Sequence, residues 1–127
     1  MFSIKTIIIS IGLLFSIKAL SQEINTEVLY KIVSPLGLVL DNHQRPQNNA
    51  GFFLDKDKAD DEGQLWKLTP VANGYYTISN PFFNKSIDNN GISDGSGNLL
   101  TQLDVIHENT NQQWKFTVTG TGAYVIT

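Results

Sequence analysis

The hexapeptides "GQLWKL" at 63–68 and "NQQWKF" at 111–116 hold the chain's two tryptophans, Trp66 and Trp114. Each sets a glutamine two residues before the indole and a lysine directly after it. The likeness extends outward from both copies. Tyr30 answers Tyr76, Pro35 answers Pro81, Asp41 answers Asp88, Leu54-Asp55 answers Leu103-Asp104, and Gln64 answers Gln112. The offsets stay between 46 and 49, which marks two copies of one supersecondary unit. A third copy opens with "GAYVIT" at 122–127, matching "GYYTIS" at 74–79.

Within each copy, short runs rich in β-branched and aromatic residues are split by turn formers. "LYKIV", "LVLD", "GFFLD" and "LWKLTPV" serve the first copy; "YYTIS", "KSID", "LLTQL" and "QWKFTV" serve the second. "ANG" at 72–74, "DNNG" at 88–91, "SDGSGN" at 93–98 and "TGTG" at 119–122 are turn signals. The expectation is an all-β fold of four strands per repeat. A large indole in an apolar strand is usually packing, so Trp66 and Trp114 are expected in the core, with Lys67 and Lys115 alternating outward.

"MFSIKTIIISIGLLFSIKALS" at 1–21 has an early cation, an apolar run and small residues at its end. It reads as a secretory signal peptide, because Lys18 cuts the run short of the roughly 20 residues a spanning helix needs. Cleavage after Ser21 removes 21 of 127 residues and leaves one small domain, residues 22–127, with a secreted or extracytoplasmic location. Losing Lys5 and Lys18 leaves seven basic residues against twelve acidic ones, a net charge of −5. The remaining cations are scattered, which argues against nucleic acid as a partner; after cleavage nothing points to a membrane. With no cysteine, stability rests on packing alone.

An Asp after the first strand pair, followed by Gln-x-Trp near the end of a repeat, resembles the ricin-type (Q-x-W) β-trefoil lectin and carbohydrate-binding domains. The resemblance covers about residues 28–127 and implies a β-trefoil of about two complete lobes plus the first strand of a third. It implies a longer polypeptide or a partner that supplies the missing lobe. In that family an Asp after the second strand, an aromatic in the third, and an Asn/Gln pair before the closing Trp hold the sugar. The matching positions are Asp88, Leu103, Asn111 and Gln112 in the second lobe, and Asp41, Leu54, Gly63 and Gln64 in the first. The aromatic is missing from both, and the first lobe also lacks the asparagine, so the second is expected to be the better site.

Each of these residues also has a structural reading. Asp88 precedes "NNG" and suits a turn that bonds its own backbone. Gln64 and Gln112 suit the satisfaction of backbone groups inside the lobe. His107, in the loop "VIHENTN", is a candidate stacking or hydrogen-bonding group, or simply a solvated one. Phe82 and Phe83, like Phe52 and Phe53, suit the core or an exposed stacking face. No H-E-x-x-H or P-loop is present, and the acidic run "DKDKADDE" at 55–62 lacks calcium-loop spacing, so it is expected to be solvated. The expectation is a non-enzymatic module without cofactor or metal that binds a glycan or polysaccharide, fused in a longer form to a catalytic domain. Two alternatives stay open: a protein-binding or inhibitory trefoil scaffold with decayed sugar sites, and the binding domain of a secreted glycoside hydrolase.

Overall fold

The computed structural model describes residues 24–91 and 100–127, together with the backbone of Ser3–Lys5. The turn at 93–98 and, apart from that strand, the leader at 1–21 lie outside the described residues.

The strands are β1 (Ser3–Lys5), β2 (Leu29–Val33), β3 (Val39–Asp41), β4 (Phe53–Asp55) and β5 (Trp66–Pro70). They continue as β6 (Tyr76–Asn80), β7 (Lys85–Asp88), β8 (Thr101–Asp104), β9 (Phe116–Val118) and β10 (Tyr124–Ile126). Every expected run forms a strand; β2 and β7 fill their whole runs, β6 is shifted by one residue, and the others are trimmed by turn residues at their ends. One-turn 3-10 helices at Glu62–Gln64 and Thr110–Gln112 precede the two Trp strands.

All pairings are antiparallel, and their order repeats the sequence period. In the first lobe β2 pairs with β5 at Tyr30↔Trp66; in the second the equivalent contact is the bridge Tyr76↔Trp114. The hairpins β3–β4 and β7–β8 are likewise equivalent. β5 passes to β6 across the lobe boundary, and β9 pairs with β10, the first strand of the third copy. This is an all-β architecture of two β-trefoil lobes and one further strand.

Apolar positions from both lobes meet in one core of Tyr30, Ile32, Leu40, Trp66, Leu68, Ile78 and Ile87. β2, β3, β6 and β7 are covered on both faces, so polar residues are buried as well. Lys31 is 3% exposed because its ammonium is paired with Asp57 and the Lys58 carbonyl. The lobes are also tied by hydrogen bonds: the Gln102 amide donates to the carbonyls of Arg45 (2.7 Å) and Gln47 (2.8 Å). The Asn80 amide donates to the Glu62 carbonyl at 2.7 Å. These contacts fix one lobe's outer turns against the other.

The tryptophans differ. Trp66 is fully buried, whereas Trp114 is only partly buried and lines an apolar cavity of about 60 Å³ with Ile32, Leu40, Ile78, Ile87, Leu100 and Ile126. The expected core role therefore holds fully for Trp66 and in part for Trp114. Lys67 and Lys115 are exposed, as alternation requires. Of the phenylalanine pairs, Phe52 packs on the core and Phe83 is half-buried, while Phe53 and Phe82 are 40% and 47% exposed.

Candidate functional site

Each lobe builds the same turn from an Asp-Asn pair. In the first, the carboxylate of Asp41 accepts from the His43 amide N–H (2.6 Å) and the side chain of Asn42 from that of Gln44 (2.9 Å). In the second, Asp88 and Asn89 do the same for Asn90 (2.7 Å) and Gly91 (2.9 Å). The paired side-chain bonds force the next two residues into the left-handed region: His43 and Gln44 at φ 53° and 54°, Asn90 and Gly91 at 57° and 71°. Asn and Gly accept that conformation readily; His and Gln do so at a cost of order 1 kcal/mol each.

The glutamine of each Gln-x-Trp then reaches under this turn. Gln112 donates to Asp88 (3.2 Å) and to the Asp104 carbonyl (3.0 Å), while its oxygen accepts from the Ile106 amide (2.9 Å). Gln64 repeats this with Asp41 (3.1 Å), the Lys56 carbonyl (2.8 Å) and the Lys58 amide (3.0 Å). Both glutamines are completely buried. Their amides thus serve the lobe's interior, and each also holds one carboxylate oxygen in place. The indoles finish the arrangement by donating to Leu40 and Ile87 carbonyls, both at 3.1 Å.

Three of the residues expected in the second-lobe site come together. Asp88 is bonded to Gln112, and the Asn111 carbonyl accepts from the Asn89 amide at 3.0 Å. The Asn111 side-chain amide lies against Gly91, 3.6 Å from where a Cβ would stand. Asn109 also donates to Asp88 (3.5 Å), and the Thr101 hydroxyl donates to Asn90 (2.8 Å); neither residue was expected from sequence. His107 belongs elsewhere: it is exposed, and its Nδ1 is hydrogen-bonded to the buried Thr77 hydroxyl at 3.0 Å.

The strand register moves the expected third-strand correspondence by one residue. Asp41 faces Phe53, and Asp88 faces Thr101. Phe53 is therefore the counterpart of Thr101, and Leu54 that of Gln102 and not of Leu103. The first lobe consequently has an aromatic beside its carboxylate: Phe53 stacks on His43 at 4.2 Å, with the Arg45 guanidinium 4.7 Å from its ring centre. The signal available in sequence was the spacing, since one extra residue separates the second and third strands of the second lobe.

The acidic run at 55–62 is largely exposed to solvent, as expected, and ion pairs order it. Lys58 bonds Asp55 at 2.7 Å and lies 3.5 Å from Asp61 and 3.7 Å from Asp41, while Asp57 pairs with Lys31. Ligand atoms of Asp41, His43 and Asp55 lie within 4.8 Å of one another, and the ammonium of Lys58 is the cation among these carboxylates.

These pairs make stability depend on pH. The Lys58 hydrogen bond, helped by the Lys56 amide, holds Asp55 below its usual range, and the Lys85 ammonium with Asn48 does the same for Asp104. Burial pushes Asp61 up, but bonds from Gln44 and Gly63 and the charge of Lys58 outweigh it, and the net shift is downward. Lys58 is raised, first by its bond to Asp55. Lowered carboxylates contribute stability that is present above the unfolded Asp value, about 3.9, and is lost as acid protonates the folded form. The raised lysine contributes below about 10.4, and that part is lost in stronger alkali. The urea midpoint is expected to be flat between these limits and to fall on acidification below about pH 4, less steeply in Lys58→Met. A midpoint unchanged from neutrality into strong acid rules the account out.

The profile of the family described as "Ricin-type beta-trefoil lectin domain-like" matches residues 20–103. Among solved structures, the chain is similar to the designed threefold-symmetric protein ThreeFoil, at 25% identity and a TM-score of 0.61, over 68% of this chain and 62% of that one. It is also similar to an exo-β-1,3-galactanase from Clostridium thermocellum, at 29% identity and a TM-score of 0.60, over 68% of this chain and 19% of the galactanase. No curated protein matches. The chain therefore spans less than two thirds of either solved relative. With repeated lobes of this topology, the matched profile places the chain in one family: it belongs to the ricin-type β-trefoil lectin-domain-like proteins.

Proposed function

We propose that the chain is a non-catalytic, exported carbohydrate-binding module in which each lobe offers a shallow polar site around its Asp-Asn turn. The observation that carries this reading is the repeated cradle of Asp41 with Gln64 and Asp88 with Gln112, each beneath an outward turn. A carboxylate and several amides in register suit neighbouring sugar hydroxyls, because they offer charge-assisted acceptance beside paired donors and acceptors. Asn90, Thr101, Asn109 and Asn111 supply neutral groups around the second-lobe turn. In the first lobe, His43 and Phe53 add ring surface for the C–H side of a pyranose. The galactanase likeness makes β-1,3-galactan the first polysaccharide to try, and its 19% coverage fits a module carried beside a glycan-degrading domain.

Affinity electrophoresis in gels containing galactan and other polysaccharides tests the reading. Asn111→Ala and His43→Ala leave the buried carboxylate bonds to glutamine in place. Each is expected to weaken retention about fivefold, the equivalent of one net hydrogen bond, and the double variant more. A double variant retained like the unmodified chain removes these turns as the site.

A second reading rests on the burial of the carboxylates: Asp41 is 0% and Asp88 1% exposed. On that reading the cradles are structural and the trefoil is a protein-binding scaffold. Failure of the folded chain to bind any polysaccharide decides for it.

A further inference from the structure

Two consecutive residues of β8 serve the two candidate sites. Thr101 stands opposite Asp88, and its hydroxyl donates to Asn90 in the second-lobe turn (2.8 Å). Its neighbour Gln102 serves the first-lobe turn instead. The Gln102 amide donates to the carbonyls of Arg45 (2.7 Å) and Gln47 (2.8 Å), and its oxygen accepts from the Asn42 side chain (3.3 Å). The backbone of Gln102 pairs with the same loop: its carbonyl accepts from the Asn49 amide (2.8 Å) and its N–H donates to the Ala50 carbonyl (3.0 Å). We propose that Gln102 is a positioning residue of the first-lobe glycan site, so that this site is assembled by both lobes; this rests on the reading of the outer turns as the glycan sites.

The internal repeat supplies the control. Leu54 faces Leu40 as Gln102 faces Ile87, yet Leu54 is 44% exposed and its side chain makes no hydrogen bond. The lobe's own fold therefore does not require a glutamine at this place. Gln102 is 0% exposed, and a buried amide is stable there only with its partners, which the first-lobe turn provides. The turns differ accordingly. Asn42 is completely buried, whereas its counterpart Asn89 is only partly buried. The Asn42 oxygen also accepts from the Gln44 amide, so one side chain links Gln102 to the left-handed pair His43 and Gln44. Farther along the turn, the held Arg45 carbonyl fixes the residue whose guanidinium lies 4.7 Å from the Phe53 ring centre, and that ring stacks on His43. Fully buried Gln102 thus touches no sugar itself but holds the ring surface that would.

Gln102→Met keeps the volume and deletes the amide. In an Asn111→Ala background, which leaves the first lobe to bind, it is expected to lower retention in galactan gels about fivefold, as losing one net hydrogen bond would. In a His43→Ala background, which leaves the second lobe, the same change is expected to have no effect. Proton NMR gives a readout without glycan. The chain has two histidines; in Gln102→Met the ring signals of His43 are expected to leave the position set by stacking on Phe53, while those of His107, bonded to Thr77, stay. In the unsubstituted chain the side-chain amide protons of buried Gln102 are expected to exchange about tenfold or more slowly than those of exposed Gln47, a measurement that stands even where the variant does not fold. Equal losses in both backgrounds, unmoved His43 signals, or Gln102 protons as fast as those of Gln47 overturn the proposal. Absence of retention in the parent chain defeats the glycan reading instead, and the His43 and exchange measurements then still decide whether Gln102 holds the turn.

Discussion

Trp66→Ala is expected to destabilise the chain by about 3–5 kcal/mol, the cost of deleting a fully buried indole from a packed core. For a domain of this size that is a large share of a total of about 5–15 kcal/mol. The indole is 0% exposed, meets Phe52 edge-on at 5.6 Å and donates to the Leu40 carbonyl, so truncation opens a cavity and leaves a buried acceptor unpaired. Trp114→Ala is expected to cost about half as much, because that ring is only partly buried and borders an existing cavity. Urea unfolding followed by circular dichroism measures both. Equal losses would contradict the unequal burial on which this argument rests.

The second large effect falls on Gly63. This residue is the first lobe's counterpart of Asn111, and by sequence matching alone Gly63→Asn restores the amide of the second-lobe site. The structure dictates the reverse. A Cβ at Gly63 would stand 2.8 Å from the Asp41 carboxylate, 2.8 Å from the Asn42 amide oxygen and 3.0 Å from Asp61. These oxygens are held by the turn itself, through bonds to His43, Gln44 and the Gly63 amide, so they cannot withdraw cheaply. Both Gly63→Ala and Gly63→Asn are expected to lose about 1–3 kcal/mol by overpacking, with glycan retention in the first lobe reduced. A Gly63→Asn protein as stable as the parent would show that the turn is looser than described. The corresponding Asn111→Gly is expected to be mild in stability, since Asn111 is only partly buried.

Much of the fold was legible in the letters. Apolar–polar alternation and turn residues marked the strands, and the recurrence of Tyr, Pro, Asp and Gln-x-Trp marked the lobes. The period also singled out Asp41, Asp88, Gln64 and Gln112, which the structure joins in pairs. Letter matching failed at the third strand. Aligning Leu54-Asp55 with Leu103-Asp104 follows identity, but hydrogen-bond register sets which side chain stands beside the carboxylate, and that is Phe53 or Thr101. A slip of one residue turns every side chain to the other face, so an aromatic was overlooked.

The sequence by itself determined the strand content, the lobe period, the burial of Trp66 and the Asp-Asn turns, because each follows from local periodicity or from side chains bonding backbone two residues away. Only the tertiary structure decided the rest. It gathered Asp41, Asp55 and Asp61 around Lys58, tied His107 to Thr77, left Trp114 only partly buried, and set the backbone of β1 beside β2 and β10. These contacts join residues far apart in the chain, and their energies depend on distance in space, which no local pattern encodes.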